Sequence, residues 1–331
     1  MRAFGRGGLT VGPYGFGIAP LANLGREVSD ENARDALEAA WTAGVRYYDA
    51  APHYGLGLGE RRLGQFLATK PRDEFIVSTK VGRLLVENPA GAQPDTDGFA
   101  VVSPLMRERD YSGDGVLRSV DASLERMGLD RIDVLFVHDP DEHYREALDG
   151  AFPALDDLRR QGVISSYGAG MNQSEMLADF VLNTDADIVM CAGRYTLLEQ
   201  GALDELLPAA SSRGVSVVAA AVFNSGLLAQ DRPRADVTYD YAPAEASLIA
   251  RVNALADVCE SHGVSLPAAA MQFALGHPSV STVCTGARSA AQVDRNAGLF
   301  DVEIPPALWS DLASAHLIRA DAPAPQAGSE K

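Results

Sequence analysis

Residues able to carry charge or move a proton sit at the ends of short apolar runs. Asp49, His53 and Tyr54 close "YYDAAPHYG", Lys80 lies inside "FIVSTKVG", and His138 and Asp139 end "VLFVHD". Asn172 follows a further run, "GVISSYGAGMNQ". Lys80 is the most demanding of them, because an apolar strand penalises an unpaired ammonium by several kcal/mol. It requires a carboxylate, and Asp49 supplies one if the two runs are neighbouring strands. Such a pair could serve only to fix strand register. Tyr54 gives it a second use: an ammonium beside a phenol stabilises the phenolate and lowers the phenol pKa, making the tyrosine a usable acid or base. His138 could then orient a substrate oxygen, and His53 either touches a substrate hydroxyl or simply packs. Asp49, His53, His138 and Asp139 could instead hold a metal in a hydrolase. That reading lacks a His-x-His pair and leaves Lys80 and Tyr54 without roles.

The elements that must position these groups alternate along the chain. β-rich runs are expected at Tyr14–Ala22, Val45–Ala51, Phe75–Val81, Ile132–His138, Ile164–Gly170, Asp187–Gly193, Val215–Val222 and Val280–Gly286. Amphipathic helical stretches separate them. Ser29 before Asp30-Glu31 and Gly44 at the other end mark the first helix, and others are expected at Glu60–Leu67, Gly115–Met127, Tyr144–Arg160, Gln173–Leu182, Leu203–Ser212, Pro243–Ser261 and Ala290–Ala297. Strict alternation of eight such units predicts an α/β fold, a closed (β/α)8 TIM barrel formed by residues 1–320 as a single domain. Long loops are expected after the third strand (83–113) and the seventh (223–242), with an extra helix at Pro305–Leu317 and a disordered tail at 321–331. Both loops follow strand C-termini, the face where barrel enzymes build their sites. Gly12, Gly15 and Gly17, and separately Gly55, Gly57 and Gly59, imitate a dinucleotide fingerprint without its strand–helix context, and are read as turn glycines.

Composition narrows the partners. The 331 residues are 47% hydrophobic and 22% charged, an ordinary globular balance, and carry a formal charge of −17. Nucleic acid and anionic membranes would repel such a chain, so a small molecule is the expected partner. Cys191, Cys259 and Cys284 are far apart in apolar settings and read as reduced core residues, with no metal-ligand spacing. "MRAFGRGG" lacks an apolar leader core and no run is long enough to span a bilayer, so a cytoplasmic protein is expected. The sequence is silent on oligomeric state.

"YYDAAPHYGLGLGE", "FIVSTKVGRLL", "VLFVHDPD", "GVISSYGAGMNQ" and "VCTGARSAAQVDRN" occur in an order that resembles the aldo-keto reductase superfamily over residues 8–300. "APHYGLGLGERRLG", "VHDPDEH", "AGRYTLLEQ" and "VFNSGLL" are similar to the branch containing L-fucose dehydrogenase, D-threo-aldose 1-dehydrogenase and pyridoxal 4-dehydrogenase. The resemblance implies a catalytic tetrad of Asp49, Tyr54, Lys80 and His138, with His53, Tyr54 and His138 toward the substrate. It implies oxidation of a cyclic hemiacetal to a lactone, with hydride passing to NAD or NADP. Other activities compatible with it are general carbonyl reduction and a weakly catalytic nicotinamide-binding regulatory subunit.

The resemblance also implies a cofactor site. Asn172 would meet the carboxamide, Phe223, Asn224, Ser225, Gly226 and Leu227 would wrap the pyrophosphate, and the segment containing Gly286, Arg288, Gln292 and Asn296 would hold the adenosine end. Three departures stand out. Ala220 occupies the place of an aromatic that commonly stacks under nicotinamide, and Ala192 that of a glutamine. Gly286 and Gln292 occupy the places of a Lys and an Arg used for a 2′-phosphate, although Arg288 and Arg295 are close by. Loss of two cationic ligands favours NAD over NADP.

Overall fold

A computed structural model describes residues 1–233, 238–239 and 242–325. Eight parallel strands close into a barrel in chain order: β1 (Tyr14–Gly17), β2 (Tyr47–Asp49), β3 (Ile76–Val81), β4 (Val134–His138), β5 (Ser166–Met171), β6 (Ile188–Ala192), β7 (Ser216–Ala220) and β8 (Val280–Thr285). The ring closes where β8 pairs with β1. Around it run α1 (Asp30–Thr42), α2 (Leu58–Leu67), α3 (Gly113–Met127), α4 (Phe152–Arg160), α5 (Ser174–Asn183), α6 (Leu206–Arg213), α7 (Ala246–Ser261), α8 (Leu266–Phe273), α9 (Ala290–Gly298) and α10 (Pro306–Ser314). The expected α/β TIM barrel is therefore present, with its extra C-terminal helix.

Helix starts follow their side chains. Ser29, Ser112, Ser265 and Ser289 each accept a backbone N–H at the first turn of α1, α3, α8 and α9. Two apolar cores result. One lies between barrel and helices, and the other fills the barrel with Tyr47, Val134, Phe136, Ile188, Met190, Val218 and Cys284. Phe4 and Val11 join the inner core from a short antiparallel pair, Arg2–Ala3 with Thr10–Val11, which plugs the N-terminal end. Burying these faces is the main driving force for closing the ring.

Several expectations need correction. β1 ends at Gly17 because the chain turns into a 3-10 helix at Ala19–Ala22 carrying Pro20, and proline cannot continue a sheet ladder. Gly15 and Gly17 lie in β1, and Gly59 in α2, rather than in turns; a Cβ at Gly15 would stand 2.4 Å from the Tyr47 ring. The helical segment between β7 and β8 contains two helices, with α8 announced by Ser265 and Pro267. Residues 83–113 form no plain loop: Arg83–Glu87 pairs antiparallel with Leu105–Arg109, and Gln93–Pro94 with Val102–Ser103. After β7 the chain makes a 3-10 turn at Asn224–Gly226, and the remainder of that loop lies partly outside the described residues, as do 326–331 of the expected tail. Residues 321–325 are described, and the Pro323 carbonyl lies against Gly276. Among the described residues no helix is long and apolar enough to cross a membrane.

Candidate active site

β2 and β3 set the first layer. Their register places Asp49 opposite Ser78, so Lys80 is the next inward residue toward the strand C-termini. Its Nζ reaches back 2.6 Å to Asp49 Oδ2 and 2.9 Å to the Ala50 carbonyl. The other carboxylate oxygen accepts from Ser78 Oγ at 2.7 Å, and Ser78 is in turn 2.9 Å from the Tyr47 hydroxyl. Lys80 is only 2% exposed. Burial alone would lower its pKa, yet Asp49 and Tyr54 hold it above its usual value. The ammonium therefore stays charged at every ordinary pH.

Tyr54 hangs over this pair from the turn after β2. Its N–H donates to the Ala51 carbonyl, Gly57 donates to Pro52, and Gly55 and Gly57 take the positive φ values of 60° and 81° that the turn requires. The Lys80 Nζ stands 4.7 Å from the Tyr54 ring centre. Here the structure corrects the expected shift. Burial is the larger influence and pushes the phenol up to about 12, while Lys80 pulls it the other way.

His138 ends β4 with its ring edge-on to Tyr54, centres 5.8 Å apart at 89°. Burial, then the charges of Arg83 and Lys80, keep it neutral by lowering its pKa well below the ordinary value. Its Nδ1 is buried without a partner among the described residues. Its backbone is clamped by Tyr111, whose hydroxyl donates to the carbonyls of His138 at 2.8 Å and Asp139 at 3.0 Å. Tyr111 fits only because residue 82 is glycine: φ is +98° and a Cβ would lie 2.2 Å from the phenol ring. Asp139 itself takes φ 40°, an uncommon conformation for a non-glycine residue.

The strands of 83–109 roof the mouth. Phe99 packs on both His53 and Tyr54, with ring centres 5.3 and 6.1 Å away. The roof is latched to the loop after β1, where Gly25 donates to Gly98 at 2.7 Å and Ala100 to Asn23 at 2.8 Å. Arg83 and Arg107 point from it into the site. Arg83 forms an ion pair with Asp139 at 2.6 Å, and Arg107 pairs with Asp95 and Asp97. Sequence reasoning missed Arg83, Phe99, Arg107 and Tyr111. The apolar run Leu84-Leu85-Val86 is the one strand signal there, and Arg83 follows β3 almost directly.

Opposite lie the β5, β7 and β8 ends. Asn172 follows β5 and is half-buried. Ala221, Asn224, Ser225 and Gly226 all take positive φ, folding Phe223–Leu227 into a compact turn. Arg295, in the last turn of α9, donates to the Ala229 carbonyl just beyond the 223–227 turn at 3.3 Å. Gln292 folds back on the Arg288 N–H at 2.8 Å, while the Arg288 guanidinium reaches the Leu24 carbonyl at 2.8 Å. Gly286 is pressed against Pro20 and the Gly17 carbonyl, and Asn296 is buried. Asp49, His53, His138 and Asp139 do not converge as ligands: among the described residues no group of three or more His, Cys, Asp or Glu side chains is placed to hold a metal ion.

Comparison with known proteins gives this geometry its family. The model of the aldo/keto reductase family matches residues 13–316. The chain belongs to that family. It is 50% identical to D-threo-aldose 1-dehydrogenase of a Pseudomonas species across 94% of this chain and 96% of the relative. It is 43% identical to pyridoxal 4-dehydrogenase of Microbacterium luteolum across 96% and 97%. A solved aldo-keto reductase from Bacillus halodurans, in its holo form, matches with a TM-score of 0.75 and 24% identity over 97% of both chains, a likeness of fold.

As a member of the aldo/keto reductase family, this chain is an NAD(P)-dependent oxidoreductase. The far side of the mouth fits such a cofactor. The buried Asn224 Oδ1 and Arg288 Nε have no partner among the described residues, the 223–227 turn presents backbone, and Arg288 and Arg295 bring positive charge.

Proposed function

We propose that the chain oxidises a cyclic hemiacetal at its anomeric carbon to a lactone, with an aldose of the D-threo or L-fucose kind as substrate. The observation that carries this reading is the Lys80 ammonium, buried between Asp49 and the Tyr54 ring with neutral His138 edge-on. One oxygen can then meet both Tyr54 and His138. Tyr54, as phenolate stabilised by Lys80, takes the hydroxyl proton, and His138 holds the same oxygen by hydrogen bond. Asp49 keeps Lys80 charged and aimed. The nicotinamide, when bound, supplies the acceptor for the hydride that leaves the same carbon. Phe99 and the roof exclude water from the exchange. A hemiacetal carbon is already tetrahedral, so no added water enters the balance.

The relative at 50% identity supports the aldose, and the one at 43% supports pyridoxal as a second reading. NAD is the favoured cofactor, because Gly286 and Gln292 carry no charge and Arg288 is already turned to Leu24. We place the protein in the cytoplasm, as a partner of small molecules and not of nucleic acid or membrane; the charge of −17 and three unpaired buried cysteines support this. The test is the growth of the NADH band with L-fucose, other aldoses and pyridoxal in turn, with NAD and then NADP. Faster turnover of an aldose with NAD supports the proposal; faster turnover of pyridoxal moves it to the second reading, and silence on every hemiacetal ends it.

A further inference from the structure

His53 is held from three sides by the roof. Its carbonyl accepts from Arg107 at 2.8 Å, its ring meets the edge of Phe99 at 89°, and its Nδ1 lies 3.4 Å from Arg83. The nearest carboxylate oxygen to that nitrogen, on Asp97, is 3.9 Å away and out of hydrogen-bond reach. A guanidinium is always protonated and can only donate, so Nδ1 must be the acceptor. The ring proton of a neutral His53 is thereby fixed on Nε2, at the opposite edge of the ring and without a protein partner among the described residues. That ring stands 5.4 Å from His138 and 6.0 Å from Tyr54, centre to centre, so it borders the place where the proposed mechanism puts the reacting oxygen.

Resting on the proposed hemiacetal chemistry, we infer that Arg83 is a positioning residue. It fixes His53 as an Nε2–H donor to the hydroxyl on the ring carbon next to the hemiacetal carbon, and so selects hydroxylated over deoxygenated substrates. The charged and titratable groups around His53 pull in both directions, with Asp95 favouring the cation and the arginines and Lys80 the neutral ring, and the neutral ring prevails. Arg83, Arg107, Asp95 and Asp97 face it from the roof, and Lys80, Tyr54, His138 and Asp139 from the barrel. Burial first, then Arg83 and Arg107, lower its pKa to about 3. His53 is thus no acid or base at working pH. The same Arg83 also donates to Asp139, the residue after His138, at 2.6 Å.

Two readouts test this. With the hydroxylated hemiacetal and its analogue lacking the adjacent hydroxyl, Arg83→Gln and His53→Phe should each raise KM for the hydroxylated compound about tenfold, the scale of one hydrogen bond. KM for the deoxy analogue should move less, so that discrimination collapses. Arg83→Lys keeps a cation for Asp139 but loses the fork, and should lose the same discrimination. A merely structural role would raise both KM values alike, and that result overturns the inference. Nitrogen NMR of the histidine rings in the cofactor-bound protein is the second readout. It should show His53 as the Nε2–H tautomer at neutral pH and still neutral at mildly acidic pH, with titration returning toward 6.5 in Arg83→Gln. An Nδ1–H tautomer in the unaltered protein also overturns it. If no hemiacetal is oxidised at all, the proposed function fails, while the NMR still decides how Arg83 acts on His53.

Discussion

The two sides of the barrel mouth are built differently. On the β2–β4 side, the proposed catalytic groups sit on strand ends and on one tight turn, and charges are paired inside the fold: Lys80 with Asp49, Arg83 with Asp139. On the β7–β8 side, the proposed cofactor site is the 223–227 turn and the segment leading into α9, where backbone with positive φ shapes the turn. Its arginines bond to loop carbonyls, Arg288 to Leu24 and Arg295 to Ala229. The first side is preorganised for proton handling, as strong electrostatic catalysis requires. The second has donors that a ligand can reclaim. Chemistry and cofactor binding should therefore separate under mutation.

The sharpest break is Tyr54→Phe. Removing the proton acceptor should lower turnover by about 10²–10⁴-fold or more, while cofactor affinity, read by fluorescence titration, is retained. A parallel loss of cofactor binding would show that the two sides are not separable. Lys80→Met probes the same side through stability. It leaves Asp49 buried and unpaired, and should cost about 3–5 kcal/mol in urea unfolding, with much of that loss recovered in the Lys80→Met, Asp49→Asn double variant. An unchanged midpoint would mean that the pair is not buried as described.

pH sharpens the comparison next. In the proposed mechanism oxidation requires the Tyr54 phenolate, whose pKa is pushed up to about 12, so the phenolate fraction grows with every step of pH below that value. kcat/KM for oxidation should rise about tenfold per unit across neutral to alkaline pH, whereas reduction, which uses the phenol, should stay level over the same range. A level oxidation profile would take Tyr54 out of the proton step. The smallest effect is expected across the mouth. Arg288→Ala should weaken NADP binding by roughly tenfold, on the scale of one charge-assisted bond, and NAD binding less, with the hydride step untouched.

The same contrast explains what could be read from the chain. Lys80 in an apolar strand has no cheap structural explanation, and from it Asp49 and Tyr54 follow by charge logic. The barrel follows from the alternation of strand and helix patterns. The proposed cofactor residues became visible only through resemblance, because a turn made of backbone geometry leaves little trace in side-chain type. Arg83 and Phe99 were hidden for another reason: they belong to a polar, Gly/Pro-containing segment without period-2 alternation, which read as loop although it pairs antiparallel. The net upward shift of Tyr54 was also out of reach, since burial outweighs the lysine and burial belongs to the folded chain. The N-terminal plug was missed because Arg2–Ala3 and Thr10–Val11 are too short to show a period.

Direct transfer from the anomeric carbon is the central claim, and deuterium follows it. An aldose labelled at that carbon should deliver one deuterium to each reduced nicotinamide formed and leave an unlabelled lactone, both read by mass spectrometry. Label retained in the product, or reduced nicotinamide formed without label, would contradict hemiacetal oxidation at the Tyr54–His138 pair.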